Sequence, residues 1–160
     1  MKIFGLASST LNRTKINLDD FHSKSDIYTE RLDFIADYDM KGQIMYFPVE
    51  GRGKANISMQ QLTSRHEFFG SYFTKPDGET YINITDYKIS FKPKKVSFSF
   101  ENLFNGDKNL GETMNRFMNQ NWKPVFNGLV PEFEKFFGEK FKSIVNNVFG
   151  NVPMKQIFLD

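Results

Sequence analysis

Chemistry in a protein needs a few reactive side chains at workable spacing, and this 160-residue chain offers few of them. Its two histidines, His22 and His66, lie far apart in sequence. Both read as surface or edge residues. Glu132 and Glu134 flank Phe133 on a helix-like stretch and point apart, which excludes a paired acid and base. Asp19-Asp20 and Asp37-Tyr38-Asp39 fall in expected turns without the spacing of a calcium loop. Gly51-Arg52-Gly53 lacks the following helix that a phosphate-binding loop requires. No serine sits in a nucleophile-elbow context. With no cysteine there is no thiolate, disulfide or zinc–thiolate site. The expectation is a protein that is not an enzyme and uses no cofactor or metal.

What remains is apolar. The chain carries 19 Phe and 7 Met against a single Trp. Phe buries a large area without a polar atom to satisfy, which suits a core and an apolar ligand equally. The turn Asn102-Leu103-Phe104-Asn105-Gly106-Asp107 opens a segment in which Leu110, Met114, Phe117, Met118, Trp122, Val125, Phe126, Leu129, Phe133, Phe136, Phe137, Phe141, Ile144, Val145 and Val148 recur at spacings of three and four. This predicts one long helix over about 107–149. Asp107 or Asn109 can cap its start, Asn109-Leu110-Gly111-Glu112 has a capping-box shape, and Gly150 and Pro153 close it. The apolar stripe drifts by about 100° at Leu129 relative to Leu110. Pro124 and Pro131 can break the helix, or the helix is contacted on more than one side. Spacing alone does not separate a packed core from a lined tunnel.

The elements that would position this helix are strands. Period-2 alternation appears in Leu32, Phe34, Ala36, in Ala55, Ile57, Met59, in Tyr87, Ile89, Phe91 and in Val96, Phe98, Phe100. Asn56, Ser58, Lys88, Ser90, Ser97 and Ser99 occupy the opposite faces, giving an antiparallel sheet with one dry and one wet side. Turn signals at Asp39-Met40-Lys41-Gly42, Glu50-Gly51-Arg52-Gly53, Lys75-Pro76-Asp77-Gly78 and Lys92-Pro93-Lys94-Lys95 divide the strands into a meander. The expected fold is α+β in one domain over 1–160: strands about 1–101, an interrupted helix about 107–149 and a tail over 150–160. A sheet curled around the helix buries both apolar faces and can leave a tubular cavity.

The formal charge of +2 and scattered cations give no reason to expect nucleic acid or an anionic membrane as partner. No run approaches the length needed to span a bilayer, so stable membrane insertion is not expected. Met1 to Leu6 reads as a strand rather than a signal peptide. The sequons at Asn12, Asn56 and Asn83 are no more than composition explains.

The run from Asn102 to Gly111, continuing through Met114-Asn115-Arg116-Phe117-Met118-Asn119-Gln120-Asn121-Trp122, closely resembles the C-terminal half of the insect takeout and haemolymph juvenile-hormone-binding proteins. Tyr38-Asp39-Met40-Lys41-Gly42, Gly51-Arg52-Gly53-Lys54, Val152-Pro153 and Ile157-Phe158-Leu159 match as well, and Gly5-Leu6-Ala7-Ser8 is similar to the family's strand entry. The resemblance implies a long helix wrapped by a strongly curved antiparallel sheet around a hydrophobic tunnel. It also implies a secreted, haemolymph-type carrier of juvenile-hormone-like terpenoids or fatty-acid-like lipids, in a family with links to circadian output. Measured against that pattern, Met1 falls where the family is already under way. The signal peptide and cysteine-bearing N-terminal part are then expected to be missing. Phe34, Ile57, Met59, Ile89, Phe91, Phe98, Phe117, Met118, Trp122 and Phe133 are the expected tunnel lining. A packed signalling or interaction module without ligand, or a fragment without activity, are the alternatives.

Overall fold

The computed structural model describes residues 1–158. Strands β1 (Lys2–Phe4), β2 (Thr10–Asn17), β3 (His22–Ile44), β4 (Phe47–Thr74), β5 (Thr80–Lys92) and β6 (Lys95–Phe100) precede helices α1 (Lys108–Gln120), α2 (Trp122–Phe149) and α3 (Met154–Ile157). The fold class is α+β, an antiparallel sheet followed by long helix, as expected. The strands form one six-stranded sheet in which β1, β3, β4 and β5 neighbour in that order, β2 pairs with β3 and β6 pairs with β4. It is therefore not a simple meander, since β6 returns to β4. The β4–β6 register sets Ile57 opposite Phe98 and Met59 opposite Val96, joining two of the apolar triplets on one face.

Two expected turns are strand interior. Residues 39–42 lie within β3 and residues 50–53 within β4. The glycines at 51 and 53 serve close approach instead. A Cβ at Gly51 would meet the Asn102 carbonyl oxygen at 2.7 Å, and one at Gly53 would meet that of Glu101 at 2.6 Å. The actual β3–β4 reversal is at Met45-Tyr46, with Met45 at φ 57°. The turns at 75–78 and around Pro93-Lys94 stand where the composition puts them. Gly5, at φ 101°, leads into a 3-10 turn over Leu6–Ser8 rather than a strand.

All three long strands change phase partway. In β4 the buried positions are odd through Ile57 and Met59, then even at Leu62, Ser64 and His66. Between them Gln61 adopts φ 46°, and one extra residue of this kind moves the alternation by one. In β3 the buried set passes from Ser23 and Thr29 to Leu32 and Phe34, and in β5 from Ile82 and Ile84 to Ile89 and Phe91. Ser58, assigned to the wet face, is in fact buried. It stands opposite Ser97 of β6, in a strand that also pairs with β3.

The chain divides into two compact units. One comprises Met1–Thr10, Tyr28–Thr63 and Lys92–Pro131, the other Leu11–Ile27, Ser64–Phe91 and Glu132–Asp160. In the first, α1 begins where the Asp107 carboxylate accepts the Leu110 N–H at 3.0 Å, and Asn109 is not the cap. The expected interrupted helix is two helices, with the break at Asn121 rather than at either proline. Pro124 sits in the first turn of α2, where its missing N–H costs nothing, so it does not cause the break. Pro131 is accommodated inside α2. Leu110, Phe136, Ile144 and Val148 of the apolar stripe remain exposed.

Candidate ligand-binding site

The first unit is closed by side chains that behave as backbone. Asn115 accepts the Phe100 N–H and donates to the Phe100 carbonyl, each at 2.9 Å. Asn119 does the same for Phe98 at 2.9 and 2.7 Å. Four residues of helix advance about 6 Å and two residues of strand about 6.6 Å, so an i,i+4 pair of carboxamides matches an i,i+2 pair of strand residues. The free edge of β6 is thereby covered by α1. One position ahead of each Asn, Met114 and Met118 turn to the interior, where they are buried together with Val125 and Phe126 of α2.

Seven of the ten expected lining residues belong to this unit: Phe34, Ile57, Met59, Phe98, Phe117, Met118 and Trp122. Phe34, Ile57 and Phe98 are buried, Met59 and Met118 are 0% exposed, and Phe117 and Trp122 are half-buried. The Phe117 ring meets Phe47 edge-on at 4.8 Å, and Lys123 Nζ stands 5.7 Å from the Trp122 ring. Among the described residues, the buried polar side chains of this unit are Thr29 and Ser58, neither of which titrates in the physiological range.

The other three expected residues, Ile89, Phe91 and Phe133, belong to the second unit. Phe91 meets Phe137 edge-on at 5.9 Å, and Phe133 lies 6.0 Å from the same ring. The Phe91 N–H is taken by Glu134 at 2.9 Å, and Asn146 brackets Ile84 as the first unit's asparagines bracket theirs. Ile89 borders a cleft of about 600 Å³ whose other walls include Lys88, Glu134, Lys135, Glu139 and Lys142, a mostly charged surface. Gly138 permits the closeness of helix and strand there, since a Cβ would meet the Tyr87 carbonyl oxygen at 2.8 Å.

Both histidines lie in this second unit, and His66 departs from the expected surface or edge position. His22 has an acidic partner across strands: its Nε2 stands 2.8 Å from Glu67, and its ring stacks on Phe69 at 4.3 Å. His66 is only 8% exposed. Its Nε2 bonds Ser64 Oγ at 3.0 Å and its Nδ1 bonds the Tyr87 hydroxyl at 2.7 Å, with Phe141 edge-on at 5.5 Å. Burial lowers the His66 pKa to about 4 and pushes that of Tyr87 up to about 12, so both are neutral. Sequence spacing does carry a signal for this: Leu62, Ser64, His66 and Phe68 alternate on one face once the phase change at Gln61 is allowed for. Phe68 stacks on Tyr87 at 5.3 Å and also joins the cluster around Phe21, Tyr72, Phe149 and Phe158. No group of three or more His, Asp or Glu that could hold a metal occurs among the described residues.

Residues 1–159 match the family model described as haemolymph juvenile hormone binding protein. The chain is 28% identical over 130 residues to the circadian clock-controlled protein daywake of Drosophila yakuba, covering 81% of this chain and 50% of that protein. It is 29% identical over 127 residues to the daywake protein of Drosophila melanogaster, covering 79% of this chain and 49% of that protein. The chain thus spans about half the length of the curated relatives it matches. Its fold matches the crystal structure of Takeout 1 from Epiphyas postvittana with a TM-score of 0.85 and 25% identity, over 96% of this chain and 71% of that one. With an apolar interior, a helix locked on a strand edge, and a family match along nearly its whole length, the chain belongs to the haemolymph juvenile hormone binding protein family.

Proposed function

We propose that this protein is a non-enzymatic, secreted carrier that holds a long apolar ligand, a juvenile-hormone-like terpenoid or a fatty-acid-like lipid, in a tunnel between helix and sheet. The observation that carries the reading is the first unit's interior, apolar and free of titratable side chains, in a chain of a binding-protein family. Such a surface takes affinity from buried area and selects by shape. Phe34, Ile57, Met59, Phe98, Phe117, Met118 and Trp122 supply the contacts in that unit, and Ile89, Phe91 and Phe133 supply apolar surface in theirs.

Full burial of Met59 and Met118 leaves no water-sized space beside them, the one observation favouring a packed module without ligand. Methionine is unbranched and flexible, and both side chains can move aside for a ligand at small cost. Trp122 reports on the choice. Titration with a juvenile-hormone-type terpenoid ester or a long-chain fatty acid is expected to shift its emission saturably and to raise the melting temperature with ligand concentration. An unchanged emission and melting temperature across both ligand types favours the packed module.

A further inference from the structure

The β3–β4 reversal is built from the wrong residues for a turn. Two-residue hairpin loops favour Asn-Gly, Asp-Gly or Gly at positions of positive φ. Here Met45 occupies φ 57° and Tyr46 follows it, inside the run Ile44-Met45-Tyr46-Phe47-Pro48. A bulky residue in the left-handed region is strained, and such strain persists where the position serves something other than stability. The three central side chains are also exposed: Met45 by 42%, Tyr46 by 87% and Phe47 by 47%. The root of the hairpin is held, with Ile44 and Val49 buried and the Phe47 ring against Phe117. An apolar tip is thus presented on a fixed base.

We propose that this tip, Met45-Tyr46-Phe47, docks reversibly on the surface of a phospholipid bilayer. The tip is convex and exposes on the order of 300–400 Å² of side chain, well short of the roughly 800 Å² that each partner contributes to a stable protein interface. A bilayer surface deforms around a convex wedge and needs no complementary pocket. Tyr46, with an apolar ring and a polar end, belongs at the boundary between headgroups and acyl chains, Met45 reaches below it, and Phe47, its ring against Phe117, adds its exposed edge at the base. The docking is shallow, since only the side chains of one turn take part. It is independent of whether the interior holds a ligand.

The test is co-sedimentation of the purified protein with neutral phosphatidylcholine vesicles at low and high salt, for the wild type, Tyr46→Ser and Met45→Gly. The wild type is expected to partition onto the vesicles equally at both salt concentrations, because the attraction is apolar. Tyr46→Ser is expected to weaken partition about fivefold or more at an unchanged melting temperature. Met45→Gly is expected to weaken it as well without lowering the melting temperature, since Gly accepts the positive φ. Wild-type protein that stays in the supernatant overturns the proposal, as do variants that partition like the wild type. Binding that requires anionic lipid and disappears in salt assigns the interaction to lysines and arginines instead. Self-association in solution that Tyr46→Ser abolishes assigns the tip to a second copy of this chain.

Discussion

Asn119→Ala is expected to destabilise the fold by about 2–4 kcal/mol, more than an exposed helix substitution would, because it leaves strand backbone without partners. The carboxamide accepts from Phe98 N and donates to the carbonyls of Phe98 and Asn115, at 2.9, 2.7 and 2.8 Å. Alanine is the better helix former, so any propensity change works in the opposite direction and sharpens the test. Asn119→Asp is the informative companion. It keeps the shape and still accepts from Phe98 N, but it presents a charged oxygen to two carbonyls and has no hydrogen to donate. It is expected to destabilise at least as much as alanine. Urea titration measures both variants, with the midpoint shifting at constant slope if the native state alone is affected. A loss below about 0.5 kcal/mol, the range of ordinary surface substitutions, would show that the bracket does not hold α1 to β6.

The second large effect is on pH dependence. His66 binds its proton with a pKa of about 4 in the folded state against an ordinary 6.5. The unfolded chain therefore takes up the proton first as pH falls. The stability associated with neutral, buried His66 is complete above about pH 6.5 and is lost progressively towards pH 4, a total of about 3 kcal/mol. The groups bonded to it are the Ser64 and Tyr87 hydroxyls, with Phe141 against the ring, so no carboxylate offsets the cost of a buried charge. Unfolding free energies at pH 7 and pH 4.5 are expected to differ by much less in His66→Gln than in the wild type, the variant being less stable at pH 7. Asp26, held low chiefly by Arg65, and Glu67, held low chiefly by His22, lose their own contributions in more acid solution in both proteins. Equal pH slopes in the two proteins would contradict the burial of His66.

The pattern of these effects shows which physical signals a sequence exposes. Alternation marked the dry faces at Leu32-Phe34, Ala55-Ile57-Met59 and Val96-Phe98, because each lies within one uninterrupted stretch of strand. It could not mark strands of 23 and 28 residues, since a single extra residue such as Gln61 resets the phase and looks like an end. Gly51 and Gly53 suggested a turn because turns are where glycine is commonest, yet they make room for the backbone of residues 101–103. Met45-Tyr46, which does turn, has no turn chemistry. The helix start was legible at Asp107, where the cap is local. The asparagine brackets were not: Asn115, Asn119 and Asn146 look like a solvated face, and only their partners on distant strands give them a role. His66 was misplaced and the Glu67 partner of His22 went unseen for the same reason, the partners Tyr87 and Glu67 being 21 and 45 residues away. Of the expected lining, seven residues fall in the first unit, whereas Ile89, Phe91 and Phe133 sit in the second, because apolar periodicity says which face is dry and not which unit it serves.

The measurement that bears most directly on the carrier reading is calorimetric titration of the protein with a juvenile-hormone-type terpenoid ester and a long-chain fatty acid at several temperatures. Saturable binding of one ligand per chain with a negative heat-capacity change is the expected result, because apolar surface leaves water on both sides of the contact. Filling the interior by Ile57→Trp should abolish binding while the protein remains folded. Absence of saturable heat at every temperature for both ligands, or binding that survives the filled interior unchanged, would contradict the account.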